Sequence, residues 1–117
     1  MEITGTIVNG LGEGALYVKK YNKYFLEKLG FEAFPGTLNL RVQTPFEWKN
    51  PILIAPQEQG LFPVECKEVI INNKLRGAVV RPTKTAHLKE VLEIIAPVNI
   101  KEYFNLKEVD RVRIRFV

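Results

Sequence analysis

Apolar and polar residues alternate with a period of two over much of this chain, the signature of strands with one buried face. Residues 2–9 form the first such segment, rich in β-branched side chains and ended by the cluster Gly10-Leu11-Gly12-Glu13-Gly14. Residues 15–20 read as a second strand. Tyr21, Tyr24, Phe25 and Leu29 then recur at helical spacing, and Gly30 is placed to end a short helix. Residues 37–42 alternate strictly, sending Leu38, Leu40 and Val42 to the core and Thr37, Asn39 and Arg41 to the other face. Pro45, Pro51 and Pro56 make residues 43–60 mainly loop, with a short strand near 52–55. Residues 62–71 and 74–81 predict two strands joined through Asn72-Asn73, residue types that accept φ > 0 in a hairpin. A strand over 91–96, one helical turn over 99–104 and a last strand over 111–116, arginines outward, complete the pattern. About six strands with one or two short helices predict a mainly β fold, a small six-stranded β-barrel forming a single domain over residues 1–117.

Composition narrows the class. Hydrophobic residues at 46% and charged residues at 26% belong to a soluble globular protein. No apolar run approaches the roughly 20 residues that span a bilayer, and the N-terminus lacks the pattern of a signal peptide. A cytoplasmic protein with no membrane partner is therefore expected. The one cysteine, Cys66, and the one histidine, His87, exclude a disulfide framework and any Cys- or His-rich metal centre. Seventeen Lys and Arg against 13 Asp and Glu give a net charge of +4, and the whole excess lies after residue 58. A basic face attracts phosphate, from nucleic acid or from a nucleotide, and it also simply keeps a protein soluble.

Four features could carry chemistry. Gly10-x-Gly12-x-Gly14 lets backbone N–H groups approach an anion with no Cβ in the way. Its spacing is not that of a dinucleotide-binding fingerprint, the following residues read as a strand, and no Gly-Lys-Ser/Thr follows. An ordinary glycine turn is the plain alternative. Thr37 and Asn39 offer two neutral oxygens from one strand face, ligands that suit Mg²⁺ when phosphates bring the negative charge; solvent-facing polar residues are the alternative. Glu93 interrupts the apolar run Val91-Leu92-Glu93-Ile94-Ile95-Ala96, which gives a carboxylate on a face suited to a flat, mostly apolar ligand, or else a buried ion pair. Arg81-Pro82-Thr83-Lys84-Thr85-Ala86-His87 could bind phosphate, whereas His87 lacks a catalytic partner and Cys66 reads as packing.

Together these pieces resemble the archaeal CTP-dependent riboflavin kinases. The matching segments are Gly10-Leu11-Gly12-Glu13-Gly14, Leu29-Gly30-Phe31, Pro35-Gly36-Thr37-Leu38-Asn39-Leu40, Arg81-Pro82-x-x-Thr85-x-His87, Glu93-Ile94-Ile95-Ala96-Pro97 and Asn105-Leu106-Lys107, in the family's order. The resemblance implies a six-stranded cradle-loop barrel of Greek-key kind that moves the γ-phosphate of CTP to the 5′-hydroxyl of riboflavin, giving FMN and CDP. It implies nucleotide binding by Gly10, Leu11, Gly12, Glu13, Gly14 and Ala15 and by Val98, Asn99, Ile100 and Lys101. It implies Mg²⁺ at Thr37 and Asn39 and flavin contacts from Thr85 and Glu93, with Glu93 the candidate general base. The expected partners are small molecules, with no nucleic acid, and the expected state is a monomer. The chain departs from the family's pattern in a shorter 43–62 loop, in Ala15, where members often carry a larger or basic residue, and in Glu108-Val109-Asp110, where an Asp-Gly-Asp turn is favoured. The rival expectations are a small basic barrel that binds nucleic acid or a protein, suggested by Arg111, Arg113 and Arg115 on one strand face, and a flavin-binding relative without catalysis.

Overall fold

The computed structural model describes residues 2–10, 14–43, 49–82 and 90–117. In chain order the elements are β1 (Glu2–Val8), α1 (Gly14–Leu29), β2 (Leu38–Arg41), β3 (Ile52–Ile54), β4 (Val64–Ile71), β5 (Leu75–Pro82), β6 (Val91–Ile95), α2 (Ile100–Tyr103) and β7 (Arg111–Phe116). All pairings are antiparallel. Strands β4-β5-β6-β2-β1-β7 run side by side, and β7 returns to pair with β4, so six strands close a barrel. One edge of β4 serves two partners in turn. Val64, Cys66 and the residue between them hold β3, and Val69, Ile70 and Ile71 hold β7. Closure removes the exposed edges that six apolar strands would otherwise present.

The period-two pattern sorts the side chains into two cores. Leu40, Ile71, Val79, Ile94, Val112 and Ile114 fill the barrel interior. The outward residues of β4, β5 and β6, among them Val64, Cys66, Ala78, Val80 and Ile95, form the floor of a second core. The helix α1 lies on that floor through Val18, Tyr21, Phe25 and Leu29. Phe25 is fully buried there, and burial of an aromatic of that size stabilises by about 2–3 kcal/mol. Gly30 ends the helix at φ 84°, donating its N–H to the Leu26 carbonyl, as its position in the sequence predicts.

The expected strand over 15–20 is helix. Val18 stands three residues before Tyr21, so the buried stripe begins a turn earlier than the aromatic spacing alone indicated, and the helix runs to 16 residues. Six residues are too few for alternation to exclude a helical turn. One ground for setting aside a dinucleotide fingerprint therefore falls, because a helix does follow the glycine cluster. The spacing still differs, and β1 pairs antiparallel with β2, so no parallel strand–helix–strand unit is present among the described residues.

The expected hairpin turn, helix cap and final strand are present. Asn72 and Asn73 take φ 49° and 58° between β4 and β5. Asn72 also straps the hairpin to β7, donating its N–H to the Arg113 carbonyl at 2.8 Å and accepting the Arg113 N–H at its side-chain oxygen at 2.9 Å. Asn99 caps α2, accepting the Glu102 N–H at 3.2 Å. Arg111, Arg113 and Arg115 face outward. No helix is long and apolar enough to cross a membrane among the described residues.

Candidate active site

Strand register lines up the polar side chains on the outside of the barrel. Cys66 on β4 pairs with Val80 on β5, Val80 with Glu93 on β6, Glu93 with Asn39 on β2, and Asn39 with Val8 on β1. Directly paired residues point to the same side of a sheet, about 5 Å apart. Glu93 and Asn39 are thus neighbours, and Thr37 follows on the Asn39 face.

The glycine segment enters this row at both ends. A Cβ on Gly10 would stand 2.4 Å from Asn39 Nδ2, and one on Gly14 would stand 2.8 Å from Thr37 Oγ1 and 3.0 Å from the Thr37 nitrogen. At Gly14 the Thr37 backbone leaves no room for a side chain, and at Gly10 a side chain would have to displace the Asn39 amide. Leu11, Gly12 and Glu13 lie outside the described residues, as do Thr85 and His87 and the loop aromatics Phe46 and Trp48. Ala15 is exposed on the first turn of α1.

Asn39 is not a wet strand residue. It is only 6% exposed, whereas Arg41 on the same face is open to solvent. Its amide donates weakly to Thr37 Oγ1 at 3.5 Å, and its Oδ1 is buried with no hydrogen-bond partner among the described residues. An unsatisfied buried oxygen costs about 1–3 kcal/mol. It stands beside a half-buried threonine hydroxyl and a glycine segment, and the two neutral oxygens are a donor set that fits a hard cation such as Mg²⁺. No cluster of three or more His, Cys, Asp or Glu offers an alternative metal site among the described residues.

Thr37 also lines a cavity of about 190 Å³ together with Gly36, Ala96, Val98, Asn99, Ile100 and Lys101. The structure thereby brings Thr37 and the expected nucleotide segment onto one wall. The Asn99 side-chain oxygen is occupied in capping α2, and the Asn99, Ile100 and Lys101 carbonyls accept the N–H groups of Tyr103, Phe104 and Leu106, which leaves each of those carbonyls one lone pair. Sequence reasoning missed what holds this wall in place. Asn22 on α1 donates to the Ala33 carbonyl at 3.0 Å and accepts the Ala33 N–H at 2.7 Å, and Phe34 donates its N–H to the Ala96 carbonyl at 2.8 Å. These bonds fix residues 33–36, which deliver Thr37. Asn22 sits on the polar side of the aromatic spacing, and its partner 11 residues away leaves no periodic trace.

On the far side of the row, burial pushes the Cys66 thiol up to about 12, with Glu65 adding to the effect, so the residue is packing and not a nucleophile. Burial likewise pushes the Tyr17 phenol far above its usual range, with Cys66 and then Glu93 contributing. Glu93 is half-buried, and Ile95 on its face is covered by α1.

A family model named CTP-dep_RFKase, described as "Domain of unknown function DUF120", matches residues 7–116. The chain belongs to that family. Curated relatives named riboflavin kinase include one from Pyrococcus furiosus at 42% identity, one from Saccharolobus solfataricus at 38% and one from Methanococcus vannielii at 38%. Each alignment covers 97% of this chain, and respectively 57%, 73% and 96% of the relative. The chain thus spans less than three-fifths of the length of the Pyrococcus relative.

Proposed function

We propose that the chain is a riboflavin kinase of the CTP-dependent type, moving the γ-phosphate of CTP to the 5′-hydroxyl of riboflavin and releasing FMN and CDP. Family membership and the names of the relatives support this reading. The observation that carries it is the buried, unpartnered Asn39 Oδ1 beside Thr37, with Gly10 and Gly14 packed against both residues. Two neutral oxygens meet Gly10 and Gly14 at one place, an arrangement that suits a metal-bound triphosphate.

Thr37 and Asn39 would hold Mg²⁺, which when bound neutralises charge on the transferring phosphates. The backbone from Gly10 to Ala15, with Leu11, Gly12 and Glu13 between, would cradle the phosphates through its N–H groups. Val98, Asn99, Ile100 and Lys101 would take the cytidine end, where backbone carbonyl and N–H groups match the amino donor and ring acceptors of cytosine. A site that hydrogen-bonds one base rejects another by leaving a buried group unpaired. Glu93, next to Asn39 across the β2–β6 pair, would accept the 5′-hydroxyl proton as that oxygen bonds to phosphorus and the bond to the CDP oxygen breaks. Thr85 and Glu93 would contact the flavin. Phosphoryl transfer of this kind depends on alignment and charge, so a covalent nucleophile is not needed.

The test is incubation with riboflavin, Mg²⁺ and each of the four nucleoside triphosphates in turn, with FMN separated by chromatography. FMN formed with CTP in excess of the other three is expected. No FMN with any of them overturns the kinase reading, and equal yields from all four overturn the preference for CTP.

A further inference from the structure

Three tyrosines of α1 stand close together. Tyr21 both donates to the Phe62 carbonyl at 2.8 Å and accepts the Phe62 N–H at 2.9 Å, and Tyr24 donates to Glu58 at 2.5 Å. The third, Tyr17, differs. Its ring packs on Tyr21 at 4.8 Å between centroids and on Phe25 at 6.5 Å, yet its hydroxyl is buried with no hydrogen-bond partner among the described residues.

A phenol oxygen cut off from both water and protein is costly, and a phenylalanine would fill the same space without that cost. Its neighbours say what the hydroxyl faces. Cys66 and Glu93 both act on it electrostatically, and both belong to the row that joins them through Val80. The Tyr17 ring packs against the core that holds Val64, Cys66, Ala78, Val80 and Ile95, so the residue lies on the outward face of β4, β5 and β6, the face that carries Glu93 with Asn39 next along. Among the described residues its hydroxyl oxygen is the second buried polar side-chain atom without a partner on this face; the other is Asn39 Oδ1.

We propose that the Tyr17 hydroxyl is a substrate contact, donating a hydrogen bond to a hydroxyl oxygen of the ribityl chain of riboflavin. This rests on the reading of riboflavin as the acceptor. With the 5′-hydroxyl at Glu93 and the phosphates at Asn39, the rest of the acceptor extends away from the metal side. Neighbouring strands lie about 4.8 Å apart, so a group standing over the strand beyond Glu93 meets the middle of a five-carbon chain. A neutral donor set in an apolar wall suits a polyol that has left water, whereas a triphosphate would call for cations.

The variant Tyr17→Phe keeps the ring and removes one oxygen. Riboflavin should bind about tenfold more weakly to it, the loss expected for one hydrogen bond. Lumichrome, the ring system without the ribityl chain, should bind wild type and variant alike. CTP affinity should be unchanged, and the ligand-free melting temperature should not fall, because no protein bond is lost. A fall in that melting temperature would show that the hydroxyl bonds the protein itself, which overturns the proposal. Unchanged riboflavin affinity in the variant overturns it, and an equal penalty for lumichrome overturns the ribityl assignment. If wild type itself binds no riboflavin, the kinase reading falls and takes this contact with it; if wild type binds and the variant matches it, this contact alone falls.

Discussion

At Val109 the backbone takes φ 62°, a conformation in which a Cβ crowds the following carbonyl. The turn is otherwise well made, since Asp110 Oδ2 accepts the Lys107 N–H at 2.7 Å and Asp110 donates its own N–H to the Lys107 carbonyl at 3.1 Å. The valine is 76% exposed and gains little from packing. Replacing Val109 with glycine should raise stability by about 1 kcal/mol, measured by denaturant unfolding, and leave FMN formation unaltered. The departure Glu108-Val109-Asp110 was visible in the sequence, and its cost lies in the turn. Cys66 makes a second case. Burial disfavours its thiolate in the folded chain, so that contribution is complete below the thiol's ordinary 9.0 and is lost as the pH rises towards 12. A thiol reagent at pH 8 should label the native protein far more slowly than the protein unfolded in guanidinium; equal rates would contradict the burial. At Asn39 the alternating pattern gave the correct face and the wrong environment. Alternation records direction along one strand, and only the arrival of Gly10 beside it turns that face into an interior. Asn39→Ala should lower FMN formation by roughly a hundredfold or more while the melting temperature holds, since its oxygen bonds nothing in the ligand-free protein.

Elements were legible where their period was long or their ends were marked. The final strand β7 has the boundaries that its alternation predicts, and the Asn72-Asn73 turn and the Asn99 cap carry a residue type favoured at such positions. The helix α1 was legible in its second half alone. Its first turn, Gly14 to Tyr17, has only Tyr17 partly buried against the core, so the sequence there lacks the apolar repeat that marks the rest. That misreading also hid Tyr17, whose place on the buried side follows from helical spacing before Tyr21. The hold of α1 on the site passes through Asn22, and the bond pair to Ala33 is the kind of long-range contact no local pattern encodes. Asn22→Ala should destabilise the protein by about 2 kcal/mol, two lost hydrogen bonds, in a urea titration. It should also weaken CTP binding, because residues 33–36 would no longer be held. Unchanged CTP affinity in a folded Asn22→Ala protein would show that Thr37 is positioned by β2 alone.

For the whole molecule, the barrel was legible because a small protein with this many apolar strands has few ways to protect their edges. The order of strands was not, since pairing of β2 with β6 and of β4 with β7 depends on contacts far apart in sequence. That order sets Asn39 beside Glu93 and completes the row under α1. The outward arginines of β7 lie on a strand that pairs with β1 and β4, and not on β5, β6 or β2, the strands that carry Val80, Glu93 and Asn39. Riboflavin affinity should therefore vary little with salt, whereas a nucleic-acid binder loses about a thousandfold or more between 50 and 200 mM. For the site to work, the glycine segment, Thr37 and Asn39 must converge on one metal-bound triphosphate. Calorimetric titration of CTP with and without Mg²⁺, in wild type and in Asn39→Ala, tests that convergence most directly. Mg²⁺ should strengthen CTP binding to the wild type by about tenfold or more, and that coupling should vanish in the variant. The same Mg²⁺ effect in both proteins would contradict it.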